Sequence, residues 1–152
     1  MSGCEVWFYH LEHSAAEQVL PELLEKTLAR GWRAAVVSAD PRRLEALDGR
    51  LWDYRDDSFL PHGLAGGPFD ARQPILLAAS PDAAVDADVL FLLDGEAGDL
   101  TRRTRLVVLI DGADPARVEA ARALWRGYVR EGRGVSYWRQ RERGGWERQA
   151  AS

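Results

Sequence analysis

Three groups of residues have types that could do chemistry. His10, Glu12 and His13, with Cys4 upstream, carry metal-ligating atoms. A zinc site needs its third and fourth ligands at defined positions, and neither this spacing nor a second cluster supplies them. Asp56, Asp57 and His62 place carboxylates near an imidazole, the pairing that acid–base catalysis uses. The structural account is better: Asp57 or Ser58 can cap a turn, and His62 can bond backbone around Pro61. Ser, His and Asp all occur, but no Gly-x-Ser-x-Gly elbow exposes a nucleophile. No catalytic residue, metal or cofactor is expected.

Nucleotide binding meets the same obstacle. The first apolar run leads into His10-Leu11-Glu12-His13-Ser14, without a Gly-rich turn whose backbone could approach a pyrophosphate. No Gly-x-x-x-x-Gly-Lys occurs, and the only lysine is Lys26. Val107 to Asp111 and Phe91 to Asp94 are apolar runs ending in an acid, as in strands that hold magnesium. Without a phosphate loop both read as strands followed by Asp-Gly turns.

Binding chemistry is better served by the segment after Pro115. Ala121, Leu124, Trp125 and Tyr128 fall at i, i+3, i+4 and i+7, giving one apolar, aromatic helical face. Arg122, Arg126 and Arg130 recur every four residues on an adjoining face. Most helices show a core face beside a solvated one. The sharper possibility is an aromatic pocket rimmed by guanidinium groups, suited to a peptide with an apolar residue and a carboxylate.

The elements that position these residues alternate in type. Glu5 to His10 reads as a buried strand; Ser14 and Glu17 form a capping box for a helix to about Arg30, with Pro21 starting it late or bending it. Gly31 ends that helix, and Arg33 to Ala39 is a second strand. Asp40-Pro41 and Asp114-Pro115 each open a helix with a cap residue followed by proline. Ile75 to Ala79, Val89 to Leu93 and Arg105 to Ile110 are further strands, and Ser80 to Asp88 is a short polar connection. Gly132 and Gly134 end the last helix. Val135 to Trp138 forms a short final strand, and a polar, frayed tail follows from residue 140. Continuous apolar strands alternating with helices argue for an α/β fold, a largely parallel sheet covered on both faces, in one domain over 1–139.

One stretch fits neither period. Leu51 to Leu64 packs Trp52, Tyr54, Phe59 and Leu60 around Pro61, which forbids a continuous helix. Aromatics gathered this way either plug a core edge or anchor a protein interface. The pattern Leu-Trp, six residues, then Phe-Leu-Pro-His-Gly-Leu resembles the signature of the chi subunit family of bacterial DNA polymerase III. Trp7-Phe8-Tyr9, the long helix and Gly31-Trp32-Arg33 extend the resemblance, which reaches about Trp138.

The resemblance implies a Rossmann-like three-layer α/β domain and a non-catalytic adaptor. In that family the helix corresponding to residues 115–131 takes the acidic C-terminal tail of the single-stranded-DNA-binding protein, which ends in Pro-Phe. Arg122, Trp125, Arg126 and Tyr128 match the family's positions, with Trp125 standing where the family has Tyr. Trp52, Phe59, Leu60 and Pro61 match its surface for the psi subunit, which links chi to the clamp loader. No pocket residue after Gly132 carries over, because that segment is Arg-rich and unlike the family.

Composition agrees with a soluble globular chain: 152 residues, 46% hydrophobic and 29% charged. A lone Cys and no membrane-length apolar run or leader favour the cytoplasm. The net charge of -4 is uneven, since residues 1–100 sum to -10 and residues 101–152 to +6, the latter cations all Arg. A cationic C-terminal third suits an anionic partner. The competing reading is direct single-stranded nucleic-acid binding, with Trp125, Tyr128, Tyr137, Trp138 and Trp146 stacking bases among those arginines. The overall acidity and the absence of a known single-strand module weigh against it.

Overall fold

The structure is a computed structural model that describes residues 3–53, 61–66, 73–84 and 86–151. Eight strands form one sheet: β1 (Glu5–Leu11), β2 (Ala34–Val37), β3 (His62–Leu64), β4 (Ile75–Ala78), β5 (Val89–Leu92), β6 (Arg105–Asp111), β7 (Val135–Gln140) and β8 (Trp146–Ala151). Their order is β3-β4-β2-β5-β6-β1-β7-β8, parallel throughout except for the last pair. Three α-helices accompany the sheet among the described residues: α1 (Ala16–Ala29), α2 (Pro41–Trp52) and α3 (Pro115–Arg130). The mixed architecture with a mostly parallel sheet is the expected Rossmann-like α/β fold.

The central strands are apolar on both faces because both are covered. Tyr9 and Leu11 of β1, with Val107 and Leu109 of β6, pack beneath Leu20 and Leu24 of α1 and Leu44, Leu47 and Leu51 of α2. Val6 and Phe8, with Leu106, Val108 and Ile110, face the other way, toward Ala121, Leu124, Trp125 and Tyr128 of α3. The aromatic face read from the last helix is therefore a core-facing stripe along much of its length.

Both Asp-Pro openings behave as read. Asp40 accepts from the Arg42 N–H at 3.0 Å and Asp114 from the Ala116 N–H at 3.0 Å. The capping box at Ser14 does not form. The cap residue is Ala15, which has no side-chain acceptor, so only the reverse half exists: Gln18 Oε1 accepts from the Ala15 N–H at 2.8 Å. Ser14 Oγ instead accepts from Gln140 Nε2 at 3.0 Å, and Glu17 pairs with Arg43 at 2.8 Å. Helix α1 runs through Pro21, which is buried within it.

Two strands were not expected. His62–Leu64, read as part of a non-periodic loop, pairs in parallel with β4 and becomes the sheet edge. Three residues with a central Gly are too few for a period-two signal. At the other edge, where a polar tail was expected from residue 140, Trp146–Ala151 pairs antiparallel with β7. Gly144 and Gly145, with φ of 93° and 79°, turn the chain back between them. Among its described residues, the polar connection after β4 holds a single 3-10 turn at Pro81–Ala83.

Candidate functional site

The α3 face of the sheet carries a groove of about 400 Å³ beside the helix, lined by His10, Arg122, Trp125, Tyr137, Arg139 and Gln149. Strand register builds its floor. Phe8 lies opposite Tyr137 and His10 opposite Arg139, so two-residue alternation aims these side chains out of one face. Trp125 comes down from α3 edge-on to both neighbours, its ring 5.7 Å from Phe8 and 5.8 Å from Tyr137. Tyr137 stacks on Phe8 at 6.1 Å with 18° between planes. These contacts fix the two aromatic rings before any ligand arrives.

Polar groups surround those rings. His10 Nδ1 and the Tyr137 hydroxyl share a hydrogen bond of 2.6 Å. Burial lowers the His10 pKa from its ordinary value; Arg139 and Arg122 act in the same sense, against Glu12. Burial likewise raises the Tyr137 phenol, with Arg122 and Arg139 opposing. Arg139 Nε donates to Glu12 Oε1 at 2.7 Å, which lowers the Glu12 carboxyl and raises the guanidinium. Gly112, in the turn after β6, admits no side chain. A Cβ there would collide with the Leu11 carbonyl and the His10 ring.

Of the four residues expected to hold a peptide tail, the structure brings together Arg122 and Trp125. Arg126 lies outside the groove, where its exposed guanidinium meets Glu119 at 3.4 Å. Tyr128 is also outside, packed against the core with Arg133 5.9 Å from its ring, and burial raises its phenol. His10, Arg139 and Gln149 were missed. The available signal was alternation: extending the strand at Val135 to Gln140 and pairing it with β1 puts Tyr137 and Arg139 beside Phe8 and His10.

A second surface lies at the far edge of the sheet. Trp52 ends α2 and is 56% exposed, its ring 5.0 Å from His62. His62 itself is buried, and its Nε2 meets Asp48 Oδ1 at 3.0 Å and the Asp48 carbonyl at 3.2 Å, tying β3 to α2. Leu64 is 41% exposed and Pro61 is half-buried. Phe59 and Leu60, with Tyr54, Asp56, Asp57 and Ser58, lie outside the described residues.

The acids at the strand ends have structural partners. Asp94 accepts from Ser38 Oγ and the Ala39 N–H, each at 2.7 Å, and pairs with Arg43 at 3.1 Å. Burial pushes its carboxyl up, but those donors outweigh it and hold the pKa below the ordinary value. Asp111 accepts from the Ala113 N–H within its turn. Cys4 is buried, its thiol pushed up to about 11 by desolvation. Among the described residues no group of three His, Cys, Asp or Glu side chains stands where it could hold a metal, and no helix is long and apolar enough to cross a membrane.

The family model for the DNA polymerase III chi subunit, HolC, matches residues 4–136. The chain belongs to the DNA polymerase III chi subunit family. It is similar to the DNA polymerase III subunit chi of Pseudomonas aeruginosa, 34% identical over 119 residues, 78% of this chain and 82% of that one. It is also similar to a probable DNA polymerase III subunit chi of Rickettsia prowazekii, 27% identical over 85 residues, 56% of this chain and 52% of that one. Family membership implies an accessory role in DNA replication, in association with the polymerase complex. The match to the family model stops inside β7. In this chi-family chain the groove thus joins matched residues, His10, Arg122 and Trp125, to Tyr137, Arg139 and Gln149 beyond the match.

Proposed function

We propose that this chi-family chain is a non-catalytic, cytoplasmic adaptor of the DNA polymerase III holoenzyme. Its α3 groove takes the acidic C-terminal tail of the single-stranded-DNA-binding protein, and its Trp52 surface takes psi or an equivalent partner, linking that protein to the clamp loader. The observation that carries the reading is the placement of Arg122 and Arg139 around Trp125 and Tyr137 in one open groove. A tail ending in Phe brings what that groove lacks: one large apolar side chain, a terminal carboxylate and further acids. Aromatic contact is directional and guanidinium–carboxylate bonds are charge-assisted, so ring and carboxylate are recognised together.

Calorimetric titration of a synthetic tail peptide tests this. Arg122→Ala should weaken binding roughly ten- to hundredfold, the worth of a charge-assisted contact of about 1.5 to 3 kcal/mol. Removing the peptide's terminal Phe should abolish measurable binding. Equal affinity of wild type and Arg122→Ala would sink the site, and binding that survives loss of the Phe would sink the aromatic pocket.

A further inference from the structure

The face of the sheet opposite α3 holds a second groove, of about 440 Å³, beside the C-terminal end of α1. Its aromatic lining is Trp7, Tyr9, Trp32, Phe91 and Trp146; Tyr9 and Phe91 are buried at its floor, and the three indoles, from β1, the entry to β2 and β8, are half-buried. Its cations are Lys26, Arg30 and Arg105, and among the described residues no carboxylate lines it. The Arg105 guanidinium lies 3.8 Å from the centre of the Trp7 ring and 5.3 Å from that of Trp32, while Arg30 sits 5.0 Å from Trp32. Tyr9 and Trp146 approach to 4.5 Å. Arg105 also bonds Glu5 at 3.2 Å, so its charge is partly spent. Lys26 pairs with the exposed Glu22 at 3.6 Å, a pairing that water and salt weaken.

We propose that this groove binds a short segment of single-stranded nucleic acid, bases against the indoles and phosphates on Arg30 and Lys26. Every base has a π-face, so a row of aromatic rings beside cations recognises a strand without reading its sequence. An acidic peptide would bring charge too, but one apolar anchor covers one ring, whereas successive bases match the three half-buried indoles Trp7, Trp32 and Trp146. The volume lies in the range of sites that enclose a small ligand, so it suits one or two nucleotides. The acidic balance of residues 1–100 opposes approach from afar. At physiological salt it is screened beyond about 8 Å, which leaves the local cations to decide. Binding is therefore weak and local. The proposal does not rest on the tail reading, since neither Lys26 nor Arg30 lines the α3 groove.

The test is fluorescence anisotropy of a dye-labelled 15-nucleotide oligothymidine with the full chain, as wild type, Arg30→Glu, Lys26→Glu and Arg143→Glu. Arg30, Lys26 and Arg143 are exposed, so the variants should keep the wild-type melting temperature. Arg30→Glu should weaken binding at least about fivefold and Lys26→Glu about threefold, with Arg143→Glu within twofold of wild type. Two phosphates neutralised on a single strand predict a roughly sevenfold loss between 50 and 200 mM salt. No binding at 50 mM salt, an unchanged Arg30→Glu, or an equal loss in Arg143→Glu would each overturn the proposal. So would an acidic peptide losing affinity with Arg30→Glu while the oligonucleotide does not.

Discussion

The α3 groove and the Trp52 surface differ in how much each has been prepared for a ligand. In the groove, Trp125 and Tyr137 are fixed against Phe8, and two guanidinium groups flank them. At the sheet edge, Trp52 presents over half its surface at a helix end, beside an exposed Leu64 and a buried His62. On the proposed reading, the first region would gain selectivity from charge placed around a rigid ring, and the second would offer exposed apolar area for a partner to cover. Affinity in the groove should therefore respond to salt and to single charges. Affinity at the Trp52 surface should respond to loss of one indole and little to salt.

The strongest test of that contrast is Trp52→Ala. An exposed interface tryptophan is a frequent hot spot, so capture of the psi-type partner should fall roughly thirty- to hundredfold, about 2 to 2.7 kcal/mol. The free protein should lose less than about 1 kcal/mol of stability, because more than half of the residue is exposed. Denaturant unfolding beside an affinity measurement separates the two. A loss of about 3 kcal/mol on unfolding, with partner affinity intact, would make Trp52 a packing residue. Salt gives the next largest effect. Raising it from 50 to 500 mM should weaken tail binding in the groove about tenfold and leave the Trp52 partner within twofold. Equal sensitivity would erase the distinction between the two surfaces.

The two regions were also unequally legible in the sequence. Trp52 stood out because it opens an aromatic-rich segment, Leu51 to Leu64, that fits neither period and holds Pro61, and its exposure follows from ending α2 where the apolar positions Leu44, Leu47 and Leu51 have run out. The central strands and the Asp40-Pro41 and Asp114-Pro115 caps were legible because each signal is local. The groove was only half legible. Helical spacing gave Arg122 and Trp125, but the same spacing also drew in Tyr128, which α3 turns into the core. His10 and Tyr137 lie 127 residues apart and meet only because β7 runs beside β1, a strand order that no local pattern encodes. Gln149 needed β8, whose polar residues carry no strand period strong enough to read.

Within the helix, Arg126 is the control for Arg122. Its guanidinium points away to Glu119 and both groups are exposed, so Arg126→Ala should change tail affinity by less than about threefold. Calorimetry on the two variants side by side decides this. A tenfold loss for Arg126 would mean that the tail leaves the groove and runs along the exposed flank of α3.

The smallest effect expected is a pH dependence centred on His10. Burial, with Arg122 and Arg139, lowers its pKa in the free protein, so at pH 7 it is neutral and shares its proton bond with Tyr137. Between its folded value and about 6.5 the unfolded chain carries the proton and the folded chain does not. Stability therefore rises with pH through that window and is flat above it, the sign expected for a group that folding makes harder to protonate. An acidic tail in the groove would reverse part of that penalty by adding negative charge beside the ring. Binding and protonation then favour one another, and tail affinity should rise about two- to threefold from pH 7.5 to pH 5.5. Glu12 is held below its ordinary carboxyl range, and the tail's own carboxyls titrate near pH 4, so neither changes charge in this interval. His10→Gln keeps a polar partner for Tyr137 and removes the proton. The comparison is titration of the tail peptide into both proteins at both pH values. Wild type should gain and the variant should stay flat; the same gain in both would place the titrating group elsewhere and free His10 from any part in the groove's charge.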